Sequence, residues 1–390
     1  MIVSFRCTPN LKARVDELIQ ARFYGDFSSF CIAAIENQLL LEAEHADGQR
    51  AISKPPSKRR ARSPARSAAG SASPLAMLEL TSPPAAGGRP NDDVVTEIGI
   101  PSLLDRDRLN EKLPFTLPAM FADVFDGADS VPVERWLFGQ YNRIFPVKVS
   151  TRTLAVIALE GKDALSLSTV GPRIAEAASQ VGEYLRMLDR RFGRHRDDAL
   201  ATAFPSVGLE GEKGRLRYQN HFVGHTVRGE QGGILVGLKL AVIQIVKNKP
   251  HILPTPAGWE FAQLANPLLD EHVDELKRRL TEDEAAFLLE HIRANVPAEV
   301  FAYRVVLSII DAGHNTPESV NERLKAFRRP ERRSNDDDDF LATQRNGALG
   351  RMTDLGLVGR ERQATRVSYR LTEEGRTFLH KVGTVPIGLE

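Results

Sequence analysis

Cysteine is nearly missing from this chain, with two among 390 residues, Cys7 and Cys31. Both fall at apolar positions of one short N-terminal pattern, so neither a disulfide framework nor a cysteine-based zinc site is expected. No apolar run approaches the roughly eighteen residues of a membrane span, and the N-terminus has no apolar leader with a small-residue cleavage site. The expected location is the cytoplasm. Net charge is also nearly absent, at +1, so a polyanionic partner is not announced by the chain as a whole. Catalytic patterns are missing too: there is no Gly-x-Ser-x-Gly elbow, no Ser-His-Asp order and no dinucleotide fingerprint. His221-x-x-x-His225 has the spacing of a helical metal pair, but Phe222 stands where a metalloprotease places its base, and no third ligand follows. Asp336 to Asp339 precede a helix and suit its N-terminal dipole. The segment Gly208 to Gly214 lacks the spacing and hydroxyl of a phosphate loop. The chain is therefore expected to be no enzyme and to hold no cofactor or metal.

What is present begins at the N-terminus. In Ile2-Val3-Ser4-Phe5-Arg6-Cys7, apolar Val3, Phe5 and Cys7 alternate with Ser4 and Arg6, the period of a strand with one packed face. Thr8 caps, and Pro9 opens, a helix with Leu11, Val15, Leu18 and Ile19 on one side. Gly25 allows a reversal, and Ser28 or Ser29 caps a second helix carrying Cys31, Ile32, Ile35, Leu39 and Leu40. A strand and two helices this short bury too little apolar area alone, which calls for a second copy.

This segment, 1–45, resembles the ribbon-helix-helix repressors of the Arc and MetJ type. The resemblance implies a homodimer whose paired strands enter the DNA major groove, with base contacts from Ile2, Ser4 and Arg6. It also implies a phosphate held by the backbone N–H groups of Phe27, Ser28 and Ser29 at the start of the second helix. The chemistry is consistent: Arg grips guanine, Ser meets either base, Ile2 suits a thymine methyl, and a helix N-terminus attracts phosphate.

Residues 46–98 are rich in Ser, Ala and Pro. Between Asp47 and Glu79 lie seven cations and no acid, among them Lys58, Arg59, Arg60 and Arg62. Such a composition is expected to form a disordered basic linker, adding salt-sensitive phosphate contacts beside a DNA-binding module.

Folding patterns resume near Ile100. Helices are expected over 117–125, 133–141, 151–160 and 170–192, with Phe145-Pro146 closing the second. Another is expected over 234–242, followed by a hairpin from Ile243–Val246 and His251–Leu253 around Asn248-Lys249-Pro250. Thr255-Pro256-Ala257-Gly258 then opens a further helix. About a hundred residues later the order recurs: a helix over 340–355, strands at Leu357–Arg360 and Val367–Leu371, and Thr372-Glu373-Glu374-Gly375 opening a last helix. Upstream, Thr281-x-x-Glu284 is a capping box, and helices follow at 298–312 and 316–328. A helix, a two-stranded wing, then Leu-Thr-x-x-Gly into a helix resembles a winged-helix domain. The expected fold is mainly α with short β: a helical region with a first winged-helix-like domain over 99–275 and a second over 276–390.

In the second, Leu341, Leu349, Met352 and Leu355 are expected inward. Thr343, Asn346 and Arg351 are then expected outward with Arg345 at the boundary, and Arg360, Arg362 and Arg366 lie on the wing. Short polar groups and Arg suit base edges, and wing arginines suit phosphates. In the first domain the equivalent helix is apolar apart from Lys239 and is expected to pack on protein. The combined expectation is a homodimeric, sequence-specific transcriptional regulator of double-stranded DNA, nucleoid-associated, repressing its own or a neighbouring promoter. The same parts occur in plasmid replication, partition and conjugation proteins, and an antitoxin-like interaction protein is a third reading.

Overall fold

The computed structural model describes residues 100–119, 131–194, 199–208, 211–227, 230–270, 279–329, 338–363 and 366–387. The expected ribbon-helix-helix module, with Ile2, Ser4, Arg6, Phe27, Ser28 and Ser29, and the linker with Lys58, Arg59, Arg60 and Arg62 lie outside the described residues. The described part is mainly helical with short antiparallel hairpins, and among these residues no helix is long and apolar enough to cross a membrane.

In chain order the elements are α1 (Phe145–Ala158), α2 (Leu167–Arg191) and α3 (Glu212–Tyr218), which runs into a π-helical turn at Gln219–Val223. A small hairpin of β1 (His225–Val227) and β2 (Glu230–Gly232) follows, then α4 (Ile234–Gly237), β3 (Ala241–Val246), β4 (Lys249–Pro254), α5 (Pro256–Gln263) and α6 (Pro267–Asp270). The second half contains α7 (Glu282–Asn295), α8 (Pro297–Asp311), α9 (Pro317–Leu324), α10 (Asp338–Asp354), β5 (Val358–Gln363), β6 (Arg366–Leu371) and α11 (Glu373–Val382).

Phe145-Pro146 opens α1 rather than closing the preceding segment. Proline suits the first turn because the N–H it lacks would have no intrahelical acceptor there. Every residue of α1 is buried, so it is the central rod of the first half. Its two cations are neutralised inside the core. Lys148 donates to the carbonyls of Phe261 (2.6 Å) and Leu264 (2.7 Å) and pairs with Glu284 at 3.0 Å. Arg152 donates to the carbonyls of Ala262 and Leu264 and pairs with Asp270. The amphipathic α2 buries Ile174, Ala178, Val181, Leu185 and Leu188, as its spacing predicts. By contrast the expected helix over 133–141 shrinks to one 3-10 turn at Val133–Arg135, and the described part of 117–125 is not helical. Residues 136–144 are instead a packed loop.

The two large hairpins share one local construction. Thr255 caps α5 by accepting from the Gly258 N–H (3.1 Å) while its hydroxyl donates to the Lys239 carbonyl (2.8 Å). Thr372 does the same with the Gly375 N–H (3.0 Å) and the Gly356 carbonyl (2.6 Å). A Cβ at Gly258 would overlap the Leu240 carbonyl, and one at Gly375 the Leu357 carbonyl, so only glycine lets each helix sit against its first strand. Two residues past the end of the preceding helix the backbone takes a positive φ in both, Lys239 at 59° and Gly356 at 79°. That reversal stops α4 at Gly237 and makes Ala241 the first residue of a strand, where a continuing helix was expected. The β3–β4 turn is Lys247-Asn248, with φ of 50° and 61°, a two-residue turn whose twist matches the strands. Lys249 and Pro250, expected in the turn, belong to β4. A third chain segment joins each hairpin at the same side: Ser166 bridges His251, and the Tyr369 N–H donates to the Asn315 carbonyl at 2.8 Å.

One apolar core runs through both halves, from Leu104 to Leu379. Polar ties cross it as well. Asp354, at the end of α10, accepts from the Ile144 N–H (2.8 Å), Arg143 (3.1 Å) and Arg279 (3.0 Å), which fixes the N-terminus of α1 to the second half.

Candidate nucleic-acid interface

The helix α10 was expected to present one side outward. Its apolar side is as expected: Leu341, Leu349, Met352 and Leu355 are buried. The other side is largely covered by the loop 136–144. A Cβ at Gly347 would collide with the backbone of Gly139, one at Gly139 with the Thr343 carbonyl, and one at Gly350 with the Asn142 carbonyl. Backbone lies on backbone there, which the three glycines permit.

Arg351 therefore does not face outward, and its expected DNA contact is corrected. Its side chain is fully buried, donates to both carboxylate oxygens of Glu299 and to the Tyr141 carbonyl, and ties α10 to α8 and to the loop. Arg345 is also largely buried; it donates to the Pro317 carbonyl (2.7 Å) and to Asn346 Oδ1 (3.0 Å). Thr343 is half-buried and Asn346 exposed. The reason spacing misled here is that a loop from more than two hundred residues upstream occupies the side that periodicity leaves polar.

The β5–β6 hairpin keeps its arginines outward. Arg360, Arg362 and Arg366 are all exposed, and so is Arg370, which sequence reading passed over. In the β5–β6 register Arg360 faces Tyr369 and Arg362 faces Val367, while Arg366 and Arg370 fall on the alternate side, where Arg370 pairs with Glu361 at 2.8 Å. Helix and hairpin meet at Tyr369. Burial pushes its phenol up, and the charges of Arg345 from α10 and Arg360 from β5 oppose that shift. Tyr369 was missed as a site residue; its alternation with outward Arg366 and Arg370 in β6 was the available signal. The structure thus brings Arg345, Asn346 and Arg360 to one neighbourhood, extends it along Arg362, leaves Arg366 on the other side of the hairpin, and removes Arg351.

His221 and His225 do not form a metal pair. His221 sits in the π-helical turn and His225 on β1, where its Nδ1 lies 3.0 Å from the Asn220 carbonyl. Burial, then the nearby charge of Arg217, lowers His221 to about 4. Among the described residues no group of three His, Cys, Asp or Glu is placed to hold a metal.

No family model, no curated protein and no solved structure matches this chain.

Proposed function

We propose that this chain is a homodimeric, sequence-specific DNA-binding regulator that represses its own or a neighbouring promoter. The observation that carries this reading is the exposed β5–β6 hairpin, with Arg360 and Arg362 outward on the side of Tyr369 and Arg366 outward on the other. Long flexible cations on a protruding hairpin match the regular charge of a phosphate backbone, and a short amide such as Asn346 at the adjoining helix suits a base edge. The element order supports a winged-helix reading of both halves: helix, short bridging segment, helices, hairpin, capped helix. Position by position the first copy lacks two of these cations: Ile243 and Ile245 of β3 stand where β5 has Arg360 and Arg362, relative to the caps Thr255 and Thr372, while exposed Lys249 stands where β6 has Arg366. Contact by the first strand of the hairpin accordingly belongs to the second copy. The N-terminal segment supplies dimerisation and base reading by Ser4 and Arg6, and linking modules in one chain raises affinity through effective concentration.

The test is binding of the full-length protein to duplex DNA from upstream of its own gene, against random competitor, across a salt series. Competitor-resistant binding that Arg6→Ala weakens more on specific than on random DNA, and that Arg360→Ala/Arg362→Ala weakens on both, is the expected result. Absence of any duplex binding by the unaltered chain overturns the reading.

A further inference from the structure

Ile245 is 62% exposed, more than any other large apolar side chain among the described residues. It lies one residue before the end of β3, opposite Pro250 of β4. Proline has no N–H, so this cannot be a pair that exchanges both N–H···O bonds. It is the alternate kind, in which the N–H and C=O of Ile245 point away from β4. Two observations agree. The two-residue turn closes on Val246 and Lys249, and the carbonyl of Ile243, two residues back on the same edge, accepts from Gln231 Nε2 at 2.9 Å. Among the described residues nothing bonds the outward N–H or C=O of Ile245.

The other edge of this hairpin is closed, by Pro250 and by Ser166, which bridges His251. An open apolar edge is a template for another strand, and folded chains usually blunt it with charge. The equivalent position of β5 carries Arg362, whereas on β3 Ile245 forms an apolar tip with half-buried Val246 and Pro250. The open stretch is short, because Gln231 closes the edge at Ile243 and the turn begins at Lys247. An extended peptide draws affinity from a row of main-chain bonds and finds only two here. A second copy of the same tip fits the stretch. Set antiparallel about a two-fold axis at Ile245, it exchanges both open groups with its counterpart, and its turn ends against Ile243. Only the tips overlap, since each chain turns back after Val246. Lys247 then faces Ile243 of the other copy, so no like charges stand opposite. Three side chains on each copy fall far short of the about 800 Å² a side of an independent interface, so the occupant must already be held nearby. The second copy of a tethered homodimer is.

We propose that two copies of this chain join at their β3–β4 hairpins, edge to edge about Ile245, making one four-stranded antiparallel sheet across the two-fold axis. This rests on the homodimer of the reading above and adds to it a second contact between copies, made by the first half. A small contact suffices inside a tethered dimer, because it forms at the effective concentration set by the tether and not at that of the protein. The pairing gives the first hairpin a reason to keep isoleucine where the second has arginine.

The experiment uses the full-length chain carrying Ile245→Cys, oxidised mildly, with its disulfides mapped by mass spectrometry against the native Cys7 and Cys31. Opposed residues that exchange hydrogen bonds stand about 5.5 Å apart at Cα, within disulfide reach. A disulfide joining position 245 of two copies is expected, at a rate that dilution does not lower while the chain stays dimeric. Gln244→Cys, also exposed, is the register control. Pairing about Ile245 puts its counterpart roughly 8 Å away, too far to bridge, so no such disulfide is expected from it. In the unaltered chain the Ile245 amide should exchange its hydrogen slowly although its side chain is exposed. A dimeric chain in which Gln244→Cys bridges as readily as Ile245→Cys, or neither bridges, overturns the pairing and leaves the homodimer standing; so does fast exchange at Ile245. An unaltered chain that is monomeric and forms no disulfide at position 245 overturns both. A bridge from position 245 only to Cys7 or Cys31 assigns the edge to the N-terminal segment and overturns the pairing as well.

Discussion

Arg351 and Glu299 form a two-point ion pair, at 2.5 and 3.0 Å, in which neither side chain is exposed. A third donation from Arg351 reaches the Tyr141 carbonyl, so one guanidinium closes α8, α10 and the loop 136–144 on each other. Burial raises the phenol of the neighbouring Tyr303 well above its ordinary range, with the Glu299 charge adding to the shift, so this hydroxyl stays protonated beside the pair.

Removing one partner of that pair strands a charge in the core. Arg351→Met is expected to cost about 3–5 kcal/mol, while Arg351→Met/Glu299→Leu should recover most of it because no unpaired charge remains. Urea unfolding of the full-length protein measures both. Any loss of DNA binding by the single variant should track its folded fraction, which separates a structural arginine from a contact.

Arg360 and Arg362 are the opposite case. Both are exposed on β5, and replacing them is expected to leave stability within about 0.5 kcal/mol. Each alanine should weaken binding to every duplex sequence alike and reduce the slope of log affinity against log salt by about 1. A titration over salt, with unfolding measured in parallel, checks the two halves of this expectation.

The seam between loop and helix is set by glycine. Gly347→Ala places a methyl group into the backbone of Gly139, an atom that cannot turn away as a side chain would. A loss of about 1–3 kcal/mol is expected from this overpacking. Gly161→Ala is a control of a different kind: nothing stands near its Cβ, but its φ of 104° strains any L side chain. Hydrogen exchange should show the Gly347 variant loosening the loop 136–144 and the Gly161 variant leaving that loop protected.

His221 gives the pH dependence a direction. Burial first, then Arg217 and His225, lowers it to about 4 from an ordinary 6.5. Between those values the unfolded chain takes up a proton that the folded chain refuses, so this group's contribution is whole above 6.5 and declines as pH falls toward 4. His221→Gln is expected to make the stability curve flatter across that window than in the unaltered protein. The His221 ring signals, followed by NMR, should remain those of the neutral form down to about pH 5.

Much of the local structure was readable because its causes are local. The capping box of α7 is written in Thr281 and Glu284, and both of its bonds are present. Thr255 and Thr372 announce helix starts by their hydroxyls, and the stripe of α2 is visible because its period is that of one helix against one core. The second hairpin was legible, with Arg362 and Arg366 exposed whatever packs elsewhere. The candidate site was half legible for the same reason: its wing depends on a hairpin, and its helix depends on what lies over it.

By itself the sequence determined the helix caps, the amphipathic faces, the turn-bearing hairpins and the outward hairpin arginines, each fixed by hydrogen bonds or periodicity within a few residues. Tertiary structure alone decided that Glu284, besides capping its own helix, neutralises Lys148, and that Arg351 is spent on Glu299. Those outcomes depend on which distant segments share a desolvated volume. The burial of a charge or the covering of a helix face is a property of that volume and not of the stretch of chain that carries the residue.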